Sequence, residues 1–313
     1  MAIESSSDSS PAPASQFPPS PGLPEKIFLN EEGLRAGWSL LIYAAFWMML
    51  EFAGGMIVGQ FIGPGIDSFS PQNVLIEEIL SFAAAYGAAL LMARLEKRRV
   101  GVYGLPVRGS FGRLFWQGAA LGFGEIALLM TLITVFGGYS FGHIALHSSA
   151  VWGWGLLWAI VFVAVGLSEE YLFRGYTQYT AARGLGFWPA AIALSLLFGA
   201  VHLYNRGEGP IGAASVAATG LVFAFALRRT GNLWLAVGWH ASFDFGETFL
   251  FSVPNSGEVY DRHLSTAVLH GKSWLTGGTV GPEGSVFSFL ILGVSALVIH
   301  FLYPHKRESS SQS

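Results

Sequence analysis

The chain has 313 residues, 52% of them hydrophobic and only 12% charged, with a net charge of −3. A soluble domain carries roughly 25% charged residues. Half that share, a mean hydropathy of +0.50 and repeated apolar runs of about 17–25 residues exclude an ordinary soluble protein and indicate a polytopic helical membrane protein. There is no cysteine, which rules out disulfides, thiolate metal sites and a thiol nucleophile. The mild charge gives no reason to expect nucleic acid as a partner.

Residues 1–27 are rich in Ser and Pro, cannot bury a core, and are expected to be a disordered tail. They lack the basic and apolar regions of a signal peptide. Apolar runs then predict helices over about Gly37–Ile62, Leu75–Leu95 and Phe115–Phe136, within an N-terminal membrane region, 28–150. Between the second and third lies VGVYGLPVRGSFGRLF (Val100–Phe115), amphipathic, basic and broken by Gly and Pro. It is expected to lie at the cytoplasmic interface. A fourth helix starts near Val151 and is read as running unbroken through about Trp152–Ala182. Helices over Trp188–Leu203, Gly212–Leu227 and Leu233–Val253 follow and complete a core, 151–253. An extracytoplasmic loop, 254–284, contains His263 and His270, read as solvated loop residues. The last helix, Val286–Tyr303, and a short tail make up 285–313. The fold class is therefore all-α, a transmembrane bundle of about eight helices, and its forty glycines would let those helices approach closely.

Eight spans put both termini on one side. The flanks and the connections between spans 2–3, 4–5 and 6–7 carry thirteen Lys and Arg, against three (Arg206, Arg262 and Lys272) in the other loops. The positive-inside rule predicts both termini in the cytoplasm of a multi-pass membrane protein.

Within this apolar background the run Ser168-Glu169-Glu170-Tyr171-Leu172-Phe173-Arg174 stands out. An ionisable residue at membrane depth costs at least ~2.5–3.5 kcal/mol on insertion scales and marks a candidate site. Three pairs at i, i+4 share a helix face: Glu170 with Arg174, Phe198 with His202, and His240 with Asp244. Arg174 can hold Glu170, while Glu169, about 100° round the helix, faces elsewhere. Phe198 can wall the face of His202. With the turn at Arg183–Gly186, Glu169 lies 16 residues before Leu185 and His202 lies 17 after it. Both then stand roughly 24 Å along the axis from the turn, with His240 about 14 Å from its own turn. Glu51 and Glu125 are read as plain bridges to neighbouring helices.

A carboxylate beside a neutral imidazole in an apolar pocket can hold and deprotonate water. A second imidazole and a polar neighbour can stabilise the oxyanion formed when that water attacks a carbonyl. The same residues could instead bind zinc through His202, His240 and Glu169, with one position left for water. Spacing alone does not choose between the two. There is no His-Glu-x-x-His run, no Gly-x-Ser-x-Gly elbow and no phosphate-binding loop.

At Glu169-Glu170-x-x-x-Arg174, Phe198-x-x-x-His202 and His240-x-x-x-Asp244 the sequence resembles the CPBP family of intramembrane proteases, also called the Abi or type II CAAX prenyl endopeptidase family. The resemblance spans about Val151 to Phe249. It implies an intramembrane endopeptidase in which Glu169 and His202 activate water and His240 and residue 244 stabilise the oxyanion. The substrate it implies is a membrane protein or lipidated peptide met in the lipid bilayer. Many relatives carry Asn at the position of Asp244. An amide donates hydrogen bonds whereas an ionised Asp only accepts, so Asp244 must be protonated, orient His240, or bind a metal. Two other classes stay open: a catalytically silent scaffold or bacteriocin-immunity protein on the same fold, and a transporter using the same carboxylates.

Overall fold

The structure is a computed structural model that describes residues 27–30, 33–60 and 70–304. The expected disordered tail and the residues after 304 lie outside the described residues, as does the end of the first apolar run. In the first, small unit Leu29–Asn30 pairs antiparallel with Gly33–Leu34.

The second unit is an all-α polytopic bundle. Its helices are α1 (Ala36–Gly59), α2 (Pro71–Leu95), α3 (Arg113–Val135), α4 (Ser149–Arg174), α5 (Tyr176–Leu185), α6 (Phe187–His202), α7 (Pro210–Thr230), α8 (Trp234–Phe245) and α9 (Val286–Leu302). Among the described residues five segments are long and apolar enough to cross a membrane: α1, α2, α3, the α4–α5 segment and α7. α6 and α9 are shorter apolar helices. α1 is apolar on all sides and buries only Ser39 and Tyr43, as expected of a helix facing lipid.

The core forms where small residues let backbones meet. α3 packs on α8 through Gly118, where an added Cβ would stand 1.9 Å from the Leu235 carbonyl oxygen. No other residue fits that approach. α4 lies between α2 and α8, and α6 pairs with α7. Tyr103 and Leu105, in the basic segment between α2 and α3, are buried in a cluster with Tyr43, Tyr171 and Tyr176.

The fourth helix is not continuous, contrary to the reading of 152–182 as one rod. It breaks at Gly175, whose ψ of −116° is not helical. The Thr177 hydroxyl donates to the Phe173 carbonyl at 2.8 Å and also to that of Leu172. Those two contacts satisfy carbonyls that the break would strand in lipid. The chain turns at Gly186, in the left-handed region with φ +84°, and α6 returns antiparallel. α8 is shorter than the apolar run Leu233–Val253 because the backbone passes into a π-turn at Gly246–Leu250.

The 254–284 loop is ordered. Val268–Leu269 pairs with Tyr139–Ser140, Trp158 Nε1 donates to the Asp261 carbonyl at 3.2 Å, and Tyr260 packs edge-on against Trp158. His263 and His270 each make a hydrogen bond, to the Ser265 carbonyl and the Ser140 hydroxyl respectively.

Candidate active site

The last turn of α4 brings Glu170 and Arg174 onto one buried face, 0% and 1% exposed. Glu170 Oε1 accepts from Arg174 Nη1 at 3.2 Å and from His240 Nδ1 at 3.0 Å. Arg174 lies over the Phe198 ring at 4.0 Å, a cation–π seat in which the guanidinium needs no water. Its Nη2 fits only because residue 220 is glycine; a Cβ there would come within 2.2 Å. An arginine between two aromatic-rich helices is thus fixed by one carboxylate, one ring and one missing side chain.

Held through Nδ1, the His240 ring turns Nε2 toward two more carboxylates: Asp244 Oδ2 at 3.5 Å and Glu169 Oε2 at 3.7 Å. The i, i+4 spacing places Asp244 there. With Nδ1–H given to Glu170, a proton on Nε2 makes the ring a cation, and three carboxyl groups surround it. Glu169 has a quarter of its side chain exposed, and its Oε2 makes no hydrogen bond within the fold.

His202 is the last residue of α6. Its Nδ1 bonds the Phe198 carbonyl at 2.8 Å, and its ring meets that of Phe198 at 4.7 Å. A carbonyl can only accept, so Nδ1 carries the proton and Nε2 of the neutral ring keeps a lone pair. Glu169, His202, His240 and Asp244 all line one cavity of about 110 Å³, room for several waters. The depth arithmetic placed Glu169 and His202 together, and they do share this cavity. The break at Gly175 does not separate them, because α5 continues toward the same turn.

Several cavity residues escaped the sequence reading, Glu78 and Asn255 among them. Glu78 on α2 accepts from the Ser168 hydroxyl at 2.5 Å and lines the cavity beside Glu169. Its only sequence signal was a carboxylate pair, Glu77-Glu78, inside an apolar run. Asn255, in the 254–284 loop, lines the same cavity and donates to the Thr248 hydroxyl at 3.3 Å. Nothing in the sequence tied it to the motifs. Glu125 bridges Trp239 Nε1 at 2.7 Å and the Ser295 hydroxyl at 3.3 Å. Glu51 Oε2 has no such partner within the fold.

The zinc alternative does not fit. Among the described residues no three His, Asp or Glu side chains converge in a way that could hold a metal ion.

The fold and this site define a polytopic membrane protein with a buried carboxylate–histidine centre. Residues 151–246, which run from α4 to the end of α8, match the family model described as Rce1-like, type II CAAX prenyl endopeptidase. The match supports the CPBP resemblance carried by the three motifs, and with it a CAAX-type intramembrane endopeptidase activity in general. The apolar helices and this match together support an integral membrane protein. No curated protein matches the chain.

Proposed function

We propose that the protein cleaves a peptide bond of a membrane-associated protein or peptide by direct attack of water, without a covalent intermediate and without zinc. Glu169 is the base: it lines the cavity with a quarter of its side chain exposed, and its Oε2, 3.7 Å from His240 Nε2, makes no hydrogen bond within the fold. His202, with Nε2 as acceptor, holds the same water. A proton leaves the water for Glu169 as its oxygen bonds to the scissile carbonyl carbon. His240 donates from Nε2 to the resulting oxyanion, and Asp244, 3.5 Å from that nitrogen, orients the ring. The oxyanion then re-forms the carbonyl as the C–N bond breaks, and Glu169 passes the proton to the departing amine nitrogen. Glu170 and Arg174 stay outside the proton path and fix His240.

The observation that carries this reading is the shared cavity of Glu169, His202, His240 and Asp244, inside a segment that matches an endopeptidase family. Purified protein with a tagged membrane peptide tests it. Glu169→Gln keeps the shape and removes the base, so cleavage should fall by roughly 10²–10⁴-fold in a protein that still purifies folded. Cleavage at the unaltered rate would refute the assignment, and a silent scaffold would cleave with neither form.

A further inference from the structure

We propose that a second cleft, at the Gly175 break, is a binding site for an anionic phospholipid, with the phosphate among three arginines and the start of an acyl chain on an apolar wall. The inference does not rest on the endopeptidase reading.

The cleft is separate from the candidate active site. It measures about 360 Å³ and lies between the Val100–Gly104 segment, α5 and the turn from α7 to α8, a size within the range of ligand sites. None of Glu169, His202, His240 or Asp244 lines it. The wall is mostly apolar, formed by Val102, Tyr179, Ala182, Phe187 and Leu227. Arg174 and Gly175 also line it, so an occupant touches both sides of the break between α4 and α5 and braces it.

Charge selects the ligand. Arg183 lines the cleft. Arg98 donates from Nη1 to the Tyr179 hydroxyl at 2.8 Å, and Arg228 lies over the Phe187 ring at 4.8 Å; both rings belong to the wall. Among the described residues the carboxylate that an ion pair ties to this group is Glu96, 3.7 Å from Arg98 and 3.9 Å from Arg183. Three guanidinium groups around one carboxylate favour an anion, and the planar fork of arginine suits a phosphate. Tyr103 adds a donor. It is buried and lines the cleft, and its hydroxyl has no hydrogen-bond partner within the fold, so a phosphate oxygen can accept from it.

Position selects the source. Three of the membrane-crossing segments end around the cleft: α2 at Leu95, the α4–α5 segment at Leu185 and α7 at Thr230. The ends of spanning helices stand at headgroup depth, where basic pockets between helices take acidic headgroups. A soluble phosphate would leave the apolar wall uncovered; a phospholipid covers it with its chain.

Thermal melts of the full-length protein in detergent, stripped of co-purifying lipid, test the site. Phosphatidylglycerol in mixed micelles, at a hundredfold excess over its dissociation constant, should raise the melting temperature by about 5–10 °C. Phosphatidylcholine and inorganic phosphate alone should not. Arg183→Gln should shift the lipid concentration needed upward by roughly 10–100-fold, the loss of a hydrogen bond to a charged group. Ala182→Phe fills the cleft, keeps every charge and should abolish the response. Arg108→Gln removes an exposed arginine of the same basic segment that does not line the cleft, and should respond as the wild type does. The proposal is overturned if phosphatidylglycerol gives no shift, or if phosphatidylcholine or free phosphate gives an equal one. It is also overturned if either cleft variant keeps the wild-type response, or if Arg108→Gln loses as much as Arg183→Gln. Should Ala182→Phe fail to fold, Arg183→Gln decides alone. The readout needs no turnover, so a chain that cleaves nothing still reports on the lipid site.

Discussion

Replacing Glu170 by Gln should unfold the bundle more readily than any other change at the site. The carboxylate is fully buried and its Oε1 serves both Arg174, at 3.2 Å, and His240, at 3.0 Å. A Gln amide can still accept through its oxygen, but Arg174 is left as a buried cation without a counter-charge. Removing one partner of a buried pair costs roughly 3–5 kcal/mol. At about 2–4 °C of melting temperature per kcal/mol for a chain of this size, a fall of about 10 °C is expected. Glu169→Gln removes a partly exposed carboxylate whose contact with His240 is 3.7 Å, so it should cost less than about 1 kcal/mol. The assay is a thermal melt of the purified variants in detergent. The double variant Glu170→Gln/Arg174→Met decides the mechanism: a buried pair replaced by apolar packing is often neutral, so much of the loss should return. The reasoning is refuted if Glu170→Gln melts with the wild type while Glu169→Gln does not, or if removing Arg174 as well deepens the loss.

Gly220→Ala should drive a methyl group into Arg174 Nη2, 2.2 Å away, and lower stability by about 1–3 kcal/mol, the usual cost of overpacking; a melt unchanged from wild type would show that Arg174 can re-seat. Glu78→Ala strands the Ser168 hydroxyl, now 2.5 Å from its acceptor, and should cost about 1–3 kcal/mol, whereas Glu78→Gln keeps an acceptor and should melt near the wild type. Glu283, in the 254–284 loop, has its carboxyl pushed up to about 8 by burial and by the nearby Asp244 charge. Its folded value is thus raised above the ordinary one. Its stabilising contribution is complete below about 4.5, the ordinary value, and is lost as pH rises through about 8. Melts run from pH 5 to pH 9 should fall more steeply for the wild type than for Glu283→Gln, and parallel curves would refute the assignment.

The elements that could be read from sequence are those set by local rules. Each apolar run is a helix in the bundle because backbone groups in lipid must bond within their own segment. The break at Gly175 was not legible. Gly is tolerated inside membrane helices, and the compensation comes from the Thr177 side chain, whose role appears only in three dimensions. The early end of α8 was equally hidden, because the π-turn at Gly246–Leu250 keeps the same apolar composition as the helix it replaces. The motif pairs were legible for the opposite reason: an i, i+4 relation is a geometric statement already present in the chain. Glu78 and Asn255 lay beyond such rules. Glu78 reaches the cavity through Ser168, 90 residues away in sequence, and Asn255 arrives on a loop whose path depends on its pairing with Tyr139–Ser140.

The departure at Asp244 takes on a definite meaning once His240 is seen held from both sides. An amide at 244 would add a second donor to the cavity. A carboxylate at 3.5 Å from Nε2 adds an acceptor instead, and with Glu169 and Glu170 it makes three carboxyl groups around one ring. In the proposed mechanism the ring works with a proton on Nε2 to give to an oxyanion, and these carboxyl groups stand within 3.0–3.7 Å of its two nitrogens. On the proposed reading, the donor missing at 244 is replaced by the Nε2–H of the neighbouring ring. On that reading the proposed oxyanion donor depends on Glu170 and, through it, on Arg174. The proposal therefore makes the buried ion pair part of what holds His240 in place, although neither member lines the cavity.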